Sequence, residues 1–385
     1  MQTSRKSRGE DMNATSPRSL LIVTTDSVIA GTERMILAYL QRHDPAKYRP
    51  YLVTLIGPGD LVRAAGKLGI PGEHLDIGNP IDAVRKLRQI IRRIRPAVVH
   101  SYLFHTNLLT RILRPFSPIP KLVCGMRTVY APGAYPYWYY AAERCTHFLC
   151  HRVIANSEAG RESLVRVVGI PREKVEVIPN GIDPNRYDLD RATARERILT
   201  EFSIPLGACL LGIVAQLRPQ KHHDLLFQAM RSVRETEPDA HLLVIGDGSE
   251  RERLKRLRMD LGLERSVFFM GYRTDIPQIL AGLDVFVLPT SVEGSPVSVL
   301  EAMASGLPVI AGDAGGVKEL VEDGNTGILV PPMDLAALTG GILSLVSQQE
   351  TREKFGTAGK QKIRTEFSLD QMARRTEEVY DSLFA

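Results

Sequence analysis

Leu288-Pro289-Thr290-Ser291-Val292-Glu293-Gly294-Ser295-Pro296-Val297-Ser298-Val299-Leu300-Glu301-Ala302-Met303-Ala304 is the stretch from which the fold is read. An apolar run ends at a proline, a loop with a glycine follows, and apolar periodicity resumes at Val297. That order is strand, turn, helix. Ser295 reads as the N-cap and Pro296 as the first helical residue, where a missing N–H is no loss. In an open parallel sheet, ligands bind beyond the carboxyl ends of the strands, so this turn lies at the ligand edge. The free amides of the first helical turn, beside Gly294, suit a phosphate or sugar oxygen. Two carboxylates flank them, Glu293 in the loop and Glu301 less than two turns into the helix.

The same strand–turn–helix unit recurs on both sides of this stretch. After the run Val309–Ala311 comes Gly312-Asp313-Ala314-Gly315-Gly316 and a helical pattern from Val317. The paired glycines let a backbone approach a bound group closely. After Leu210–Val214 comes Ala215-Gln216-Leu217-Arg218-Pro219-Gln220-Lys221, whose lysine can reach a diphosphate as a flexible point charge. Further apolar runs at 241–245, 267–270, 285–288 and 327–330 alternate with helical stretches such as 223–234 and 249–260. Upstream, runs at 19–24, 51–55, 97–100, 122–124 and 153–155 alternate with helices at 33–42 and 61–68. Strands apolar on both faces and separated by helices imply parallel sheets covered on both sides.

The break falls at the turn-rich Pro179-Asn180-Gly181-Ile182-Asp183-Pro184. It gives a disordered tail at 1–18, an N-terminal Rossmann-like domain at 19–185 and a C-terminal one at 186–367. A last helix at 368–385 is free to pack back on the first domain. Charge divides at the same place, with 26 Lys and Arg against 15 Asp and Glu before residue 186 and 23 against 29 after it. A basic half beside an acidic one favours phosphates or an anionic membrane surface as partners of the former. No nucleic-acid-binding motif accompanies the charge. No run approaches the ~20 apolar residues of a membrane span. Four cysteines make no disulfide framework in a chain of 385 residues, which fits a reducing, cytoplasmic compartment.

Taken together, these segments resemble the retaining glycosyltransferases of family 4. The resemblance also draws on Gly31-Thr32-Glu33, Ile154-Ala155-Asn156-Ser157, Ile178–Asp183, Val244-Ile245-Gly246-Asp247-Gly248 and Met270-Gly271-Tyr272-Arg273. Glu293 and Glu301 match that family's E-x7-E pattern, and Gly315-Gly316 with Glu319 complete the series. The implied fold class is α/β, GT-B: two Rossmann-like, doubly wound domains facing an interdomain cleft. The implied activity is transfer of a sugar, with retention, from a nucleotide-diphosphate sugar, UDP-linked by expectation, to a lipid-linked or saccharide acceptor. No metal or other cofactor is implied, and Asp188-Leu189-Asp190, which mimics a metal motif of another architecture, is read as chance.

By the same resemblance, Glu301 binds the ribose hydroxyls, Glu293 contacts the donor sugar, and the amides of Gly294, Ser295, Pro296 and Val297 form the loop around sugar and phosphate (Pro296 itself has no N–H). Lys221 is the diphosphate lysine, Gly31 lets diphosphate and acceptor approach the backbone, main chain at Tyr272 and Arg273 holds the base, and Gly315 and Gly316 back the donor site. Two positions depart from the pattern. Gln216 stands where an arginine is usual, with Ala215 and His222 for the flanking glycines and Arg218 as a substitute cation. Arg127 stands where relatives often carry a histidine, placing a cation over the leaving phosphate.

His105, with His100, lies at a strand end, where it is either a cleft contact or a capping residue. Residues 84–95 carry Arg85, Lys86, Arg88, Arg92, Arg93 and Arg95, interleaved with Leu87, Ile90, Ile91 and Ile94 at helical spacing. They form either an amphipathic helix for anionic lipid headgroups or a packed helix with a basic outer face. The aromatic run Tyr130–Tyr140 is either a sugar- or membrane-facing surface or a packing cluster. Cys145, His147, Cys150 and His151 do not share a helix face and are not read as a metal site. The alternatives to a transferase are a non-catalytic nucleotide-sugar-binding relative and a sugar-nucleotide epimerase. A dehydrogenase is disfavoured because no G-x-G-x-x-G follows a strand.

Overall fold

The computed structural model describes residues 16–130, 133 and 135–385. The expected tail lies largely outside them, and Arg18, its last residue, already opens the first strand. Seven strands form one sheet: β1 (Arg18–Asp26), β2 (Tyr48–Ile56), β3 (Gly72–His74), β4 (Val98–Tyr102), β5 (Lys121–Met126), β6 (Arg152–Ala155) and β7 (Val175–Val177). Six more form a second: β8 (Cys209–Val214), β9 (Ala240–Ile245), β10 (Val267–Gly271), β11 (Val285–Leu288), β12 (Val309–Gly312) and β13 (Gly327–Val330).

The strand orders are β3-β2-β1-β4-β5-β6-β7 and β10-β9-β8-β11-β12-β13, and every pairing is parallel. Each order reverses once, between β1 and β4 and between β8 and β11. At such a switch point the connecting helices leave to opposite faces, and a crevice opens at the carboxyl ends. The central strands are buried on both faces: Leu20 to Val23 and Val285 to Leu288 have at most 1% exposure. The edge strands β3 and β7, three residues each, escape sequence reading because they carry no apolar run.

The basic stretch is a helix, Pro80–Ile94, capped by the Asn79 side chain accepting from the Asp82 N–H at 3.0 Å. Leu87, Ile90 and Ile91 are buried against the first sheet, so its apolar face is spent on the core. Only its basic outer face remains for any lipid surface.

The last helix, Leu369–Asp381, crosses back to the first sheet. Its approach is fixed by main-chain bonds from Ile182 to the Phe367 carbonyl (3.0 Å) and from Leu369 to the Ile182 carbonyl (3.1 Å). Tyr380 is fully buried there, edge-on to Tyr39, Tyr48 and His100, with its hydroxyl 2.6 Å from His100 Nδ1. His100 is thus a core residue, not a cleft contact. Burial, and secondarily the Arg127 charge, hold its pKa well below the usual histidine range. Asp381 accepts from Tyr48 Oη at 2.7 Å and Arg18 at 2.8 Å.

Tyr380→Ala opens a cavity under the first sheet and is expected to cost about 3–5 kcal/mol. Tyr380→Phe, which loses only the hydrogen bond, is expected to cost about 1 kcal/mol. Urea midpoints of the two variants check the difference.

Candidate active site

The second half supplies one wall from the turns that follow β8, β9, β10 and β11. After β8 the chain makes a tight turn, Pro219–Lys221, and the Gln220 carbonyl accepts from the Ser291 N–H (3.2 Å) and the Thr290 hydroxyl (3.1 Å). This seats the turn against the loop after β11. Lys221 Nζ contacts the Glu293 carboxylate. Burial, then the Arg218 charge, lowers the lysine to about 8.

The Glu293–Gly294 main chain lies directly on Gly315 and Gly316. The Gly316 N–H donates to the Glu293 carbonyl at 3.0 Å, and a Cβ at Gly316 would stand 1.8 Å from the Gly294 carbonyl oxygen. No other residue fits there. Gly315, at φ +59°, would bring a Cβ 2.0 Å from the Glu293 carbonyl oxygen. These two glycines therefore shape the loop from behind and do not line the cleft.

The helix after this loop runs Val297–Ala304 with Pro296 as its N-cap, at φ −68° and ψ 117°. Ser295 does not cap it, contrary to the sequence reading, because the helix opens one residue later. The Ser295 Oγ is instead buried without a partner, and the residue lines the cleft.

The first half supplies the facing wall. Arg127 follows β5, its guanidinium 5.3 Å from the Tyr102 ring centroid, and its Nη1 donates to Asn180 Oδ1 at 2.8 Å. The Asn180 amide in turn donates to the Ser295 carbonyl at 2.7 Å. Arg127 is thereby tied across the cleft to the sugar-side loop. Asn156, just past β6, is 3% exposed, lines the cleft and leaves its Oδ1 unpartnered. Close by, Glu319 accepts from the Glu158 and Ala159 N–H groups, both at 2.8 Å, so a carboxylate of the second half caps a helix of the first.

One cleft of about 490 Å³ collects Gly31, Arg127, Gln216, Lys221, Tyr272 and Arg273 together with Glu293, Ser295, Pro296, Val297 and Glu301. Arg273 is already engaged by Asp275, twice at 2.8 Å, and by Glu201 at 3.2 Å. Five expected residues do not line it: Gly294, Gly315, Gly316, Arg218 and His105. Arg218 is exposed and outside the cleft lining, and it reaches the site only through its charge on Lys221. His105 is exposed, 3.3 Å from the Tyr139 hydroxyl, in an aromatic group where Phe104 and Tyr139 stack at 3.8 Å. Tyr130, by contrast, is buried packing. Among the described residues, no three His, Cys, Asp or Glu side chains group around a metal position.

Sequence reasoning missed Arg34, Asn156, Asn180 and Tyr187 as site residues. The two asparagines stand inside quoted motifs, and Arg34 adjoins Gly31-Thr32-Glu33. Tyr187 carries no sequence signal.

Glu33 sits beneath the Gly31 turn, 3% exposed, accepting the Ala30 N–H at 3.3 Å. Burial pushes its pKa from 4.5 to about 7, with Asp26 adding and backbone hydrogen bonds and Arg127 opposing. A carboxyl raised in the folded state costs stability as pH climbs from the unfolded value to the folded one. Glu33→Gln removes that slope. Its unfolding free energy from urea titration is expected to gain on the wild type between pH 5 and 8, by up to about 3 kcal/mol.

Residues 29–186 match the model for Glycosyltransferase Family 4, and residues 195–362 that for Glycosyl transferases group 1. The chain is 26% identical over 279 residues to the Escherichia coli UDP-Gal:alpha-D-GlcNAc-diphosphoundecaprenol alpha-1,3-galactosyltransferase, covering 68% of this chain and 70% of that protein. It is 34% identical over 218 residues to the Mycolicibacterium smegmatis GDP-mannose-dependent alpha-(1-6)-phosphatidylinositol monomannoside mannosyltransferase, but spans only 54% of each. Among solved structures, Anabaena HepE with UDP-glucose superposes with a TM-score of 0.85 at 22% identity, covering 95% of this chain and 100% of that one. The architecture is the GT-B fold.

Proposed function

We propose that this GT-B protein is a retaining glycosyltransferase that moves a sugar from a nucleotide-diphosphate sugar to a lipid-linked or saccharide acceptor in glycan synthesis, without a metal. The observation that carries this reading is the meeting of Lys221, Arg127, Glu293 and Glu301 in one cleft between two parallel sheets. The similar galactosyl- and mannosyltransferases, named for UDP- and GDP-linked donors and lipid-borne acceptors, support the reaction class.

In this reading Glu301 accepts the ribose hydroxyls and Lys221 meets the diphosphate. Incoming phosphate competes with Glu293 for the ammonium, freeing that carboxylate to orient the sugar. Breaking the bond from the anomeric carbon to the diphosphate oxygen leaves negative charge on the phosphate. Fixed cations stabilise that charge as it develops, at no reorganisation cost. Lys221 and Arg127 face it from opposite walls, and Arg127 offsets the charge lost at Gln216. The acceptor hydroxyl attacks from the face the diphosphate leaves, through an oxocarbenium-like state, and passes its proton to the departing phosphate. No covalent enzyme intermediate is invoked. Ser295 Oγ and Asn156 Oδ1, both buried and unpartnered, are suited to sugar or acceptor hydroxyls.

UDP- and GDP-sugars incubated with the protein are expected to release UDP or GDP slowly by hydrolysis. Glu293→Ala should abolish the release, and Arg127→Ala should slow it by about 100-fold, the usual loss on deleting one oxyanion donor. Binding without release would favour the non-catalytic relative, and an isomerised sugar an epimerase.

Among the described residues, no helix is long and apolar enough to cross a membrane. We place the protein in the cytoplasm, at the inner face of the cell membrane. The outer face of residues 84–95 would meet anionic lipid by charge alone. Sedimentation with phosphatidylglycerol vesicles is therefore expected to be lost at high salt and with Arg85, Arg92 and Arg93 changed to Gln. Salt-resistant binding would contradict it.

A further inference from the structure

Arg34 belongs to neither the diphosphate nor the sugar end of the cleft, yet it crosses to the other half. It stands in the helix Gly31–Arg42, and its Nη1 donates to Glu301 Oε1 at 3.0 Å and Oε2 at 3.3 Å. Tyr187, in the turn Pro184–Tyr187 that joins the halves, donates to the same Oε1 at 2.9 Å. Three separate segments therefore meet on one carboxylate that is 5% exposed. Oε1 holds two donors and Oε2 one long contact, so acceptor capacity remains chiefly on Oε2. Arg34 also lines both the main cleft and an adjoining cavity of about 350 Å³, with Glu301 between them.

We propose that Arg34 is a positioning residue for nucleotide recognition: reaching across the cleft, it holds Glu301 as an oriented anion able to accept the vicinal hydroxyls of a nucleoside-diphosphate ribose. This rests on the reading of Glu301 as the ribose-binding carboxylate.

The physical need is plain. A buried carboxylate without a cation takes up a proton, and a carboxyl group that donates its own hydrogen is a poor acceptor for two hydroxyls. Burial does push Glu301 upward, while Arg34, the Tyr187 hydrogen bond and Arg186 hold it down. Those three are the charged or titratable groups that act on it most strongly. The helix Gln349–Glu366, packed on the other side, presents Gly356 and Gly359 toward Gly306 and Met303. Arginine suits the task better than lysine because its guanidinium is planar and weakly hydrated, and a single Nη1 reaches both carboxylate oxygens. The contact also couples the halves: donor affinity in the second depends on a side chain of the first.

Calorimetric titration with UDP, GDP and their 2′-deoxy forms, at pH 6 and 8, tests this on the full chain. The wild type should prefer the ribonucleotide at both pH values. Arg34→Met should lose about tenfold in affinity at pH 6, less at pH 8, along with most of its preference for ribose over deoxyribose. Arg34→Lys should recover part of both, and it carries the comparison if the methionine variant does not fold. An undiminished ribose preference in the variants, or an equal loss at both pH values, would overturn the proposal. Tighter binding in Arg34→Met would overturn it as well, since Arg34 would then be competing with the nucleotide. Failure of the wild type to bind either diphosphate would instead remove the premise about Glu301.

Discussion

The cleft depends on a contact between two stretches of main chain. Gly316 lies so near the Gly294 carbonyl that a methyl group would stand 1.8 Å from it and 2.7 Å from Ser157 Cβ. This closeness sets the height of the Glu293 loop above the second sheet, and hence the reach of Lys221 to Glu293. It also brings that loop against the first half, where a Cβ on Gly294 would meet Asn156 Oδ1 at 2.6 Å. Side chains are then added to a frame already closed by backbone. The Asn180 bridge and the Glu319 cap hold the two halves in that register.

The parallel sheets were legible because their central strands are continuous apolar runs, a pattern that needs no partner to be recognised. The three-residue edges were not, since Gly72-Glu73-His74 and Val175-Glu176-Val177 become strands only by pairing with β2 and β6. The cleft residues on the strand-to-helix turns of the second half were legible from glycine, proline and carboxylate spacing. What spacing cannot carry is depth. It did not reveal that Gly315 and Gly316 stand behind the loop, that Arg218 lies outside the cleft lining, or that His105 joins an aromatic group instead of the cleft. Arg34 and Tyr187 were hidden for a related reason. Each acquires meaning only through Glu301, which lies 267 and 114 residues away along the chain.

The cleft also redistributes charge further than the Arg127 and Gln216 departures alone suggest. Gln216 leaves the second half with Lys221, itself paired with Glu293, as its reach toward phosphate, Arg273 being engaged by Asp275 and Glu201. The other two cationic groups, Arg127 and Arg34, come from the first half. Positive charge around a bound nucleotide would thus be assembled only with the halves together. In an open arrangement the second half alone would hold its ligand with one lysine, and that lysine partly neutralised by Glu293.

The return of the helix Leu369–Asp381 to the first sheet carries a consequence for how the chain is made. Arg18 and Asp381 meet at 2.8 Å, so the second sheet is topologically an insert within the first unit. A growing polypeptide leaving the ribosome can complete the second sheet while Tyr39, Tyr48 and His100 still lack the ring of Tyr380. The unit synthesised first is therefore the last to be sealed, and its underside stays open during that interval.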